Sequence, residues 1–296
     1  MWIKVKRLFK WLKLNISYIA RKTTVWTSAV IAAFQVFNFL CDLNDIFPEN
    51  LVFIKRFFIS LGVVAGLWIL IFIICCVYVR LKKSIIVLDA GNERHVYVEY
   101  GDLFSPKETD SIVVVTANRC FDTIVDDDLI SSDTIHGMAI NRILAHGCSQ
   151  EELNSALQYD LREKGNKLEI TLDRNQKRLG NLERYPVGTV AEFKQNKTKY
   201  FFLGMSAFDN KLHANTTDEE YIITIQRLIE YCNNRSQRKP IYMPIIGTSG
   251  RDNKKNERML LEYMVKTIQM NDNLINADIH IVIYHTRRSD ISIFGL

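Results

Sequence analysis

The stretch Lys239-Pro240-Ile241-Tyr242-Met243-Pro244-Ile245-Ile246-Gly247-Thr248-Ser249-Gly250-Arg251 is an apolar run that stops in a glycine turn, and a helical pattern follows from about Asn256 to Met270. An apolar run of this length, bounded by Pro and Gly, reads as a buried strand. A strand that breaks into a glycine turn and then a helix aims unpaired backbone N–H groups and a positive helix end at one spot, which suits a phosphate. Arg251 adds a charge-assisted partner. Ordinary α/β proteins also turn from strand to helix on glycine and bind nothing there, so the rest of the chain decides.

The chain has 296 residues, room for one or two domains. Its charge is uneven. Residues 1–83 carry twelve Lys and Arg against three acids, a net +9, and the remainder carries 26 against 30, a net −4. The basic balance therefore belongs to the N-terminal third and not to a nucleic-acid surface on the globular part, so no nucleic-acid partner is expected. The six cysteines (41, 75, 76, 120, 148 and 232) form no Cys-x-x-Cys or zinc spacing. They read as reduced thiols of a cytoplasmic domain.

Residues 1–22 place Trp2, Val5, Phe9, Leu12, Ile16 and Ile19 at helical spacing, with Lys4, Arg7, Lys10 and Lys13 mostly elsewhere. This is the pattern of a basic amphipathic helix at a lipid surface, or of the basic flank of a membrane helix. Thr23 to Cys41 holds no charge over 19 positions, and Phe57 to Val79 none over 23. Each is long enough to cross a ~30 Å hydrocarbon core as a helix. The basic region is too long for a signal peptide and no cleavage site follows. The acidic segment Asp42–Asn50 joins the two runs, so 23–83 is expected to form a transmembrane hairpin. Arg21 and Lys22 flank one end and Arg80, Lys82 and Lys83 the other, which puts both termini and the following domain in the cytoplasm. Lys55 and Arg56 on the outer side count against this and are expected to snorkel. Gly62-Val63-Val64-Ala65-Gly66 is a Gly-x-x-x-Gly, and Gln35 and Asn38 share a helix face. Both point to helix association, either between copies or within one hairpin.

From Ser84 the period changes. Strands are predicted at Ile85–Leu88, His95–Tyr100, Ser111–Thr116, Thr198–Leu203, Ile241–Ile246 and Ile279–Tyr284. Helices are predicted at Met138–His146, from Ser149 to about Lys164, from Thr217 to about Asn233, and after Arg251, with capping signals at Ser149 and Thr217. Segment 173–197 reads as an irregular loop leading into a hairpin. This alternation is an α/β domain over 84–296, with helices on both faces of a mixed sheet. Arg80–Ser84 leaves little slack between the hairpin and the domain.

Three segments then fall in order: Gly101-Asp102-Leu103-Phe104 after a strand, Val113-Val114-Val115-Thr116-Ala117-Asn118-Arg119 ending a buried strand, and the Pro244–Arg251 stretch. With the closing strand Ile281-Val282-Ile283-Tyr284, their order and spacing resemble the macro domain, an ADP-ribose-binding module of three α/β/α layers. The resemblance covers roughly 85–296. It implies that Asp102, beside Leu103, takes the adenine amine, that Asn118 contacts the distal ribose, that Gly247, Thr248, Ser249, Gly250 and Arg251 wrap the diphosphate, and that Tyr284 stacks on adenine. Each of these also has an ordinary reading as a turn, cap or strand residue.

The family's first phosphate loop is a glycine run. Here Phe121–Gly137 keeps only Gly137. Hydrolysis in the family leans on that loop, so no catalytic residue is assigned, and Ser131, Ser132 and His136 are expected to read whatever is attached to the distal ribose. The acids at Asp126–Asp128 read as a solvated loop and not a metal site. A membrane hairpin followed by such a domain resembles the ThsA effectors of type II Thoeris, a bacterial anti-phage system. That resemblance implies a non-enzymatic sensor in the inner membrane. It takes an ADP-ribose derivative (a histidine conjugate made by a TIR-domain protein) as ligand and no cofactor, oligomerises with itself, and disrupts membrane lipid. The alternatives are a membrane-tethered ADP-ribosyl hydrolase and a passive reader of ADP-ribosylated proteins.

Overall fold

The structure is a computed structural model that describes residues 2–41, 53–91, 93–108, 110–248 and 257–296. The chain divides into two compact units, one ending at Lys83 and one beginning at Ser84. The first holds helices α1 (Trp2–Cys41) and α2 (Phe53–Leu81). The expected acidic turn Asp42–Asn50 lies outside the described residues, as do the side chains of Trp2, Asn38, Lys55 and Arg56.

The basic segment and the first uncharged run form one unbroken helix, because neither Gly nor Pro interrupts 2–41. Its seam against α2 differs from the predicted apolar face. Trp11, Asn15, Ile19, Thr23 and Thr27, spaced by four, are buried, whereas Val5, Phe9 and Ile16 are exposed. Polar groups are tolerated in the seam because they bond to their own helix: Asn15 Nδ2 donates to the Trp11 carbonyl at 2.8 Å and Thr23 Oγ1 to that of Ile19 at 2.9 Å. On α2, Cys75 and Val79 are buried, and Arg80 lies over the Trp11 ring at 5.4 Å. A Cβ built at Gly62 or Gly66 meets nothing within 4 Å, so this Gly-x-x-x-Gly takes no part in the packing of the hairpin. Among the described residues one stretch, Phe58–Leu81, is long and apolar enough to cross a membrane.

The second unit contains, in chain order, β1 (Ser84–Gly91), β2 (Arg94–Gly101), β3 (Ile112–Asn118), α3 (Ile135–Ala145), α4 (Gln150–Glu163), β4 (Ile170–Thr171), β5 (Glu183–Arg184), β6 (Val190–Gln195), β7 (Thr198–Phe208), β8 (Ala214–Asn215), α5 (Asp218–Arg235), β9 (Ile241–Pro244), α6 (Glu257–Met270) and β10 (Ile279–Tyr284). The main sheet runs β1-β2-β10-β9-β3-β7-β6, with β8 paired to β7. The five strands from β2 to β7 are parallel, and β1 and β6 close the edges antiparallel. This is the mixed α/β sheet expected. Segment 173–197 contributes β6, the first strand of the hairpin with β7, whose turn is made by Asn196 at φ 55.

Every residue of β3 is buried, as a central parallel strand requires. Alternate residues face opposite layers. Val113, Val115 and Ala117 join Tyr200, Phe202 and the α3/α4 residues Ile140, Ile143, Leu153 and Leu157 in one core. On the other face Phe201 packs edge-on against Tyr231 of α5. Helices thus cover both faces, and the carboxyl ends of the parallel strands are left to form a rim, where open α/β sheets bind ligands.

Candidate functional site

Two cavities open at that rim. The larger, about 500 Å³, is lined by Asp102, Leu103, Ile135, Thr248 and Tyr284, with Arg142 at the α3 side. The smaller, about 180 Å³, is lined by Asn118, Ser131, His136, Ser206, Phe208 and His213. The segment from Asp127 to Ile135 touches both and is the wall between them.

The wall is held by short polar contacts. Asp126 Oδ1 accepts from the Asp128 and Leu129 amides, at 3.0 and 2.7 Å. Asp127, at φ 63, accepts from Ser132 through both its amide (2.7 Å) and its hydroxyl (2.9 Å). Those two bonds lower the Asp127 carboxyl below its usual range. Asp128 pairs with Arg178 at 2.5 Å. The three acids thus diverge onto three different partners, and no metal-ligand group is found among the described residues. Thr134 caps α3: its hydroxyl accepts from the Gly137 amide at 3.0 Å and donates to the Ser131 carbonyl at 2.7 Å. With the Gly137 amide capped, the Ile135 and His136 amides are the ones left without a helical partner. Gly137 is required for packing. A Cβ there would overlap the Ser131 carbonyl oxygen and stand 3.0 Å from the Ser132 Cα. It is the one position where a glycine lets the wall lie on the helix.

The small cavity carries the most telling polar atoms. Asn118 is buried, and its Oδ1 accepts from the Cys120 amide at 3.0 Å. Its Nδ2 is buried and has no partner at close hydrogen-bond distance, its contact with the Asp122 carboxylate being the weakest that group makes. His136 is buried too, its ring edge-on to Phe202, and its Nε2 likewise has no partner. Burial pushes the imidazole down to about 3, so it is neutral at ordinary pH. Unmade hydrogen bonds of buried groups cost free energy, and both residues belong to the lining of this one cavity.

Behind Asn118 the chain is stapled. Lys177 and Asp122 form a fully buried ion pair at 2.6 Å, Lys177 also donates to the Asn181 carbonyl at 2.7 Å, and the Asn181 amide donates to Asp122 at 2.5 Å. Gly180 sits at φ +78 against the Asp122 carboxylate, where a Cβ would collide. The staple fixes the turn that presents Asn118. Arg119 points away and bridges Glu169, Glu220 and the Tyr185 carbonyl. Cys120, with its thiol pushed up to about 11 by burial, is no nucleophile.

The predicted residues therefore divide. Asp102, Leu103, Thr248 and Tyr284 line the large cavity, and Asn118, Ser131 and His136 the small one. Asp102 also makes a turn, accepting from the Phe104 amide at 3.0 Å and the Ser105 hydroxyl at 3.2 Å. Tyr284 is half exposed and lies against His285. Ser132 lines neither cavity; its hydroxyl is committed to Asp127. Gly247 sits behind the rim at φ +86, with Tyr221 and Met205 filling the space a Cβ would need. Ser249, Gly250 and Arg251 lie outside the described residues. Sequence reasoning missed the far wall of the small cavity, Met205 to Ala214. That wall is formed where β7 ends and β8 folds back, and no local motif marks it.

The family model described as "Thoeris protein ThsA, Macro domain" matches residues 96–284, from within β2 to the end of β10. A Thoeris protein ThsA from Bacillus amyloliquefaciens (strain Y2) is 26% identical over 245 residues, covering 80% of this chain and 78% of that protein. Two mutant forms of the Oceanobacillus iheyensis macrodomain are similar in structure, at 17% and 16% identity, each with a TM-score of 0.43, over 70% of this chain and 93% and 88% of theirs.

Proposed function

The chain belongs to the family of Thoeris ThsA macro domains, and on that premise we propose that it is a membrane-anchored sensor-effector of anti-phage defence that binds an ADP-ribose-type signal. The observation that carries the reading is the pair of unpartnered buried atoms, Asn118 Nδ2 and His136 Nε2, in a cavity one wall away from a larger cavity bearing Asp102 and Tyr284. An elongated ligand with an aromatic base at one end, hydroxyls at the other and a diphosphate across the wall suits this layout.

Each role follows from chemistry. Tyr284 offers a ring face to adenine, a contact worth about 1–3 kcal/mol by analogy with base stacking. Asp102 keeps acceptor capacity beyond its turn contacts, because a carboxylate has about four lone-pair sites. The uncapped first-turn amides of α3, with Thr248 on the large cavity, favour the diphosphate. Asn118 donates to a hydroxyl of the distal ribose, and neutral His136 meets that ribose or the group it carries. The signal is an ADP-ribose derivative, a histidine conjugate supplied by a TIR-domain protein. On binding it, copies of the chain associate and the membrane is breached. Gly62 and Gly66, unoccupied within the hairpin, are free for contacts between copies. The ligand drives association only through its higher affinity for the assembled state. The protein is not an enzyme in this reading.

The test is calorimetric titration of the full chain in detergent with ADP-ribose and with its histidine conjugate, with product analysis of the same samples. Binding without turnover, weakened at least tenfold by Asn118→Ala, is expected. Turnover of the conjugate would establish the hydrolase instead. No heat with either compound would overturn the ligand assignment.

A further inference from the structure

Helix α1 carries a line of polar residues that the hairpin does not use. Lys13, Ser17, Arg21, Thr24, Ser28 and Gln35 follow one another at steps of four, four, three, four and seven. Those steps keep side chains on one face of a helix. All six are exposed, while the seam against α2 is made by Trp11, Asn15, Ile19, Thr23 and Thr27. The polar line is therefore a separate face, and Val25 is exposed beside it.

The register of the hairpin sets the depth of this line. Arg80 lies over Trp11, and the buried residues of α2, Cys75 and Val79, continue that antiparallel seam. Ten residues up α1 from Trp11 is Arg21, and ten residues down α2 from Arg80 is Leu70. Both steps are about 15 Å at helical rise. Arg21 is thus level with Leu70, well inside the uncharged run from Phe57 to Val79. It cannot serve as the interfacial flank expected of it from sequence. If α2 crosses the bilayer, α1 brings Ser17, Arg21, Thr24 and Ser28 to the depth of the hydrocarbon. Lipid offers these groups no hydrogen bonds, and a guanidinium at that depth requires water or a partner. Among the described residues of this unit no Asp or Glu pairs with Arg21. A second copy presenting the same face, with water held between, satisfies the whole line at once.

We propose that assembled hairpins enclose a water-filled path lined by this face of α1, with Arg21 at mid-depth, and that the path passes small anions in preference to cations. A ring of guanidinium groups in a narrow pore repels cations and concentrates anions. The inference rests on the membrane-effector reading above and adds which helix lines the lesion and what crosses it.

The test uses the full chain in vesicles of phosphatidylethanolamine and phosphatidylglycerol, triggered with the histidine conjugate of ADP-ribose, under a potassium chloride gradient. The reversal potential is expected on the chloride side. Arg21→Glu is expected to move it to the potassium side, with Arg21→Gln between. Ser28→Cys is expected to become blockable by a charged thiosulfonate that leaves the parent chain conducting. Retained heat of ligand binding certifies that each variant is folded. Conductance whose reversal potential is unmoved by Arg21→Glu, with no block at Ser28→Cys, overturns this inference and leaves the effector reading intact. No conductance from the parent chain overturns both.

Discussion

Replacing Gly137 with Ala sets two calculable effects against each other. Gly137 lies in the first turn of α3, where helix propensity alone predicts that Ala stabilises by about 1 kcal/mol. Its φ is not positive, so the backbone accepts Ala without strain. The added methyl would overlap the Ser131 carbonyl oxygen and stand 3.0 Å from both the Ser131 carbonyl carbon and the Ser132 Cα. All three are backbone atoms, so no side chain can swing away. The wall must lift by roughly 1 Å, a forced overpacking that costs about 1–3 kcal/mol. The sum is a loss of about 0–2 kcal/mol, with sign opposite to propensity. The larger effect is on binding. Ser131 lines the small cavity and Ile135 the large one, so lifting the wall misplaces the α3 amides and the approach to Asn118 together. Losing one or two hydrogen bonds of about 1–1.5 kcal/mol each weakens binding roughly tenfold to a hundredfold. Urea denaturation and calorimetric titration with the histidine conjugate measure the two separately. A variant more stable by about 1 kcal/mol that binds like the parent would refute both the pinned wall and its place in the site.

Three further predictions concern buried charge. Lys177→Met strands the Asp122 carboxylate in the interior and is expected to cost about 3–5 kcal/mol near neutral pH, with Lys177→Met/Asp122→Asn recovering most of it in urea melts. Burial already raises the Asp122 carboxyl and Lys177 opposes it. Without the cation the folded-state value rises further, so the variant's deficit should shrink as pH falls and the carboxyl takes a proton. His136 titrates near 3 folded against 6.5 unfolded, so its stability contribution is complete above 6.5 and is lost as pH falls. One proton's worth of slope, about 1.4 kcal/mol per pH unit, should vanish from the acid limb in His136→Gln. Glu192 is lowered although burial raises it, because Lys199 and Tyr231 bond to it and outweigh that effect. Glu192→Gln should therefore destabilise by about 1–3 kcal/mol at neutral pH and be nearly neutral at pH values below the usual carboxylate range.

The sheet was legible because β-branched and aromatic runs such as Val113–Val115 and Ile281–Ile283 have few other places to go than a central strand. The helices between them announced themselves by caps: Ser149 and Thr217 each form the reciprocal bonds with Glu152 and Glu220 that their spacing foretold. The site was legible only where one residue's chemistry stands alone. Asn118 was marked by its place at the end of a buried strand, but that its Nδ2 is left over depends on the Cys120 amide taking the Oδ1, a fact of backbone geometry. That Ser132 bonds to Asp127 was hidden for the same reason, since the left-handed turn at Asp127 brings that carboxylate round to it. In α1 the face predicted to meet lipid is distinct from the seam against α2, where Asn15, Thr23 and Thr27 hold positions that composition would give to Val or Leu.

The chemistry at the small cavity bears on sensing against catalysis. General acid–base work needs a group whose protonation changes near the working pH. His136 is pinned neutral by burial and Cys120 is held as a thiol. Asp127 is held ionised by Ser132, Asp128 is occupied by Arg178, and His213 stands beside Asp209 at 3.4 Å. What is left open is hydrogen bonding: one amide donor at Asn118 and one imidazole nitrogen at His136. A site that leaves hydrogen bonds unmade gains free energy by binding, and the buried Lys177–Asp122 staple behind Asn118 makes that gain depend on a fixed geometry. Such a site discriminates among ligands by leaving its own polar atoms unpaired when the wrong one enters, the most selective device available to a buried pocket. That selectivity is the property the proposed trigger requires.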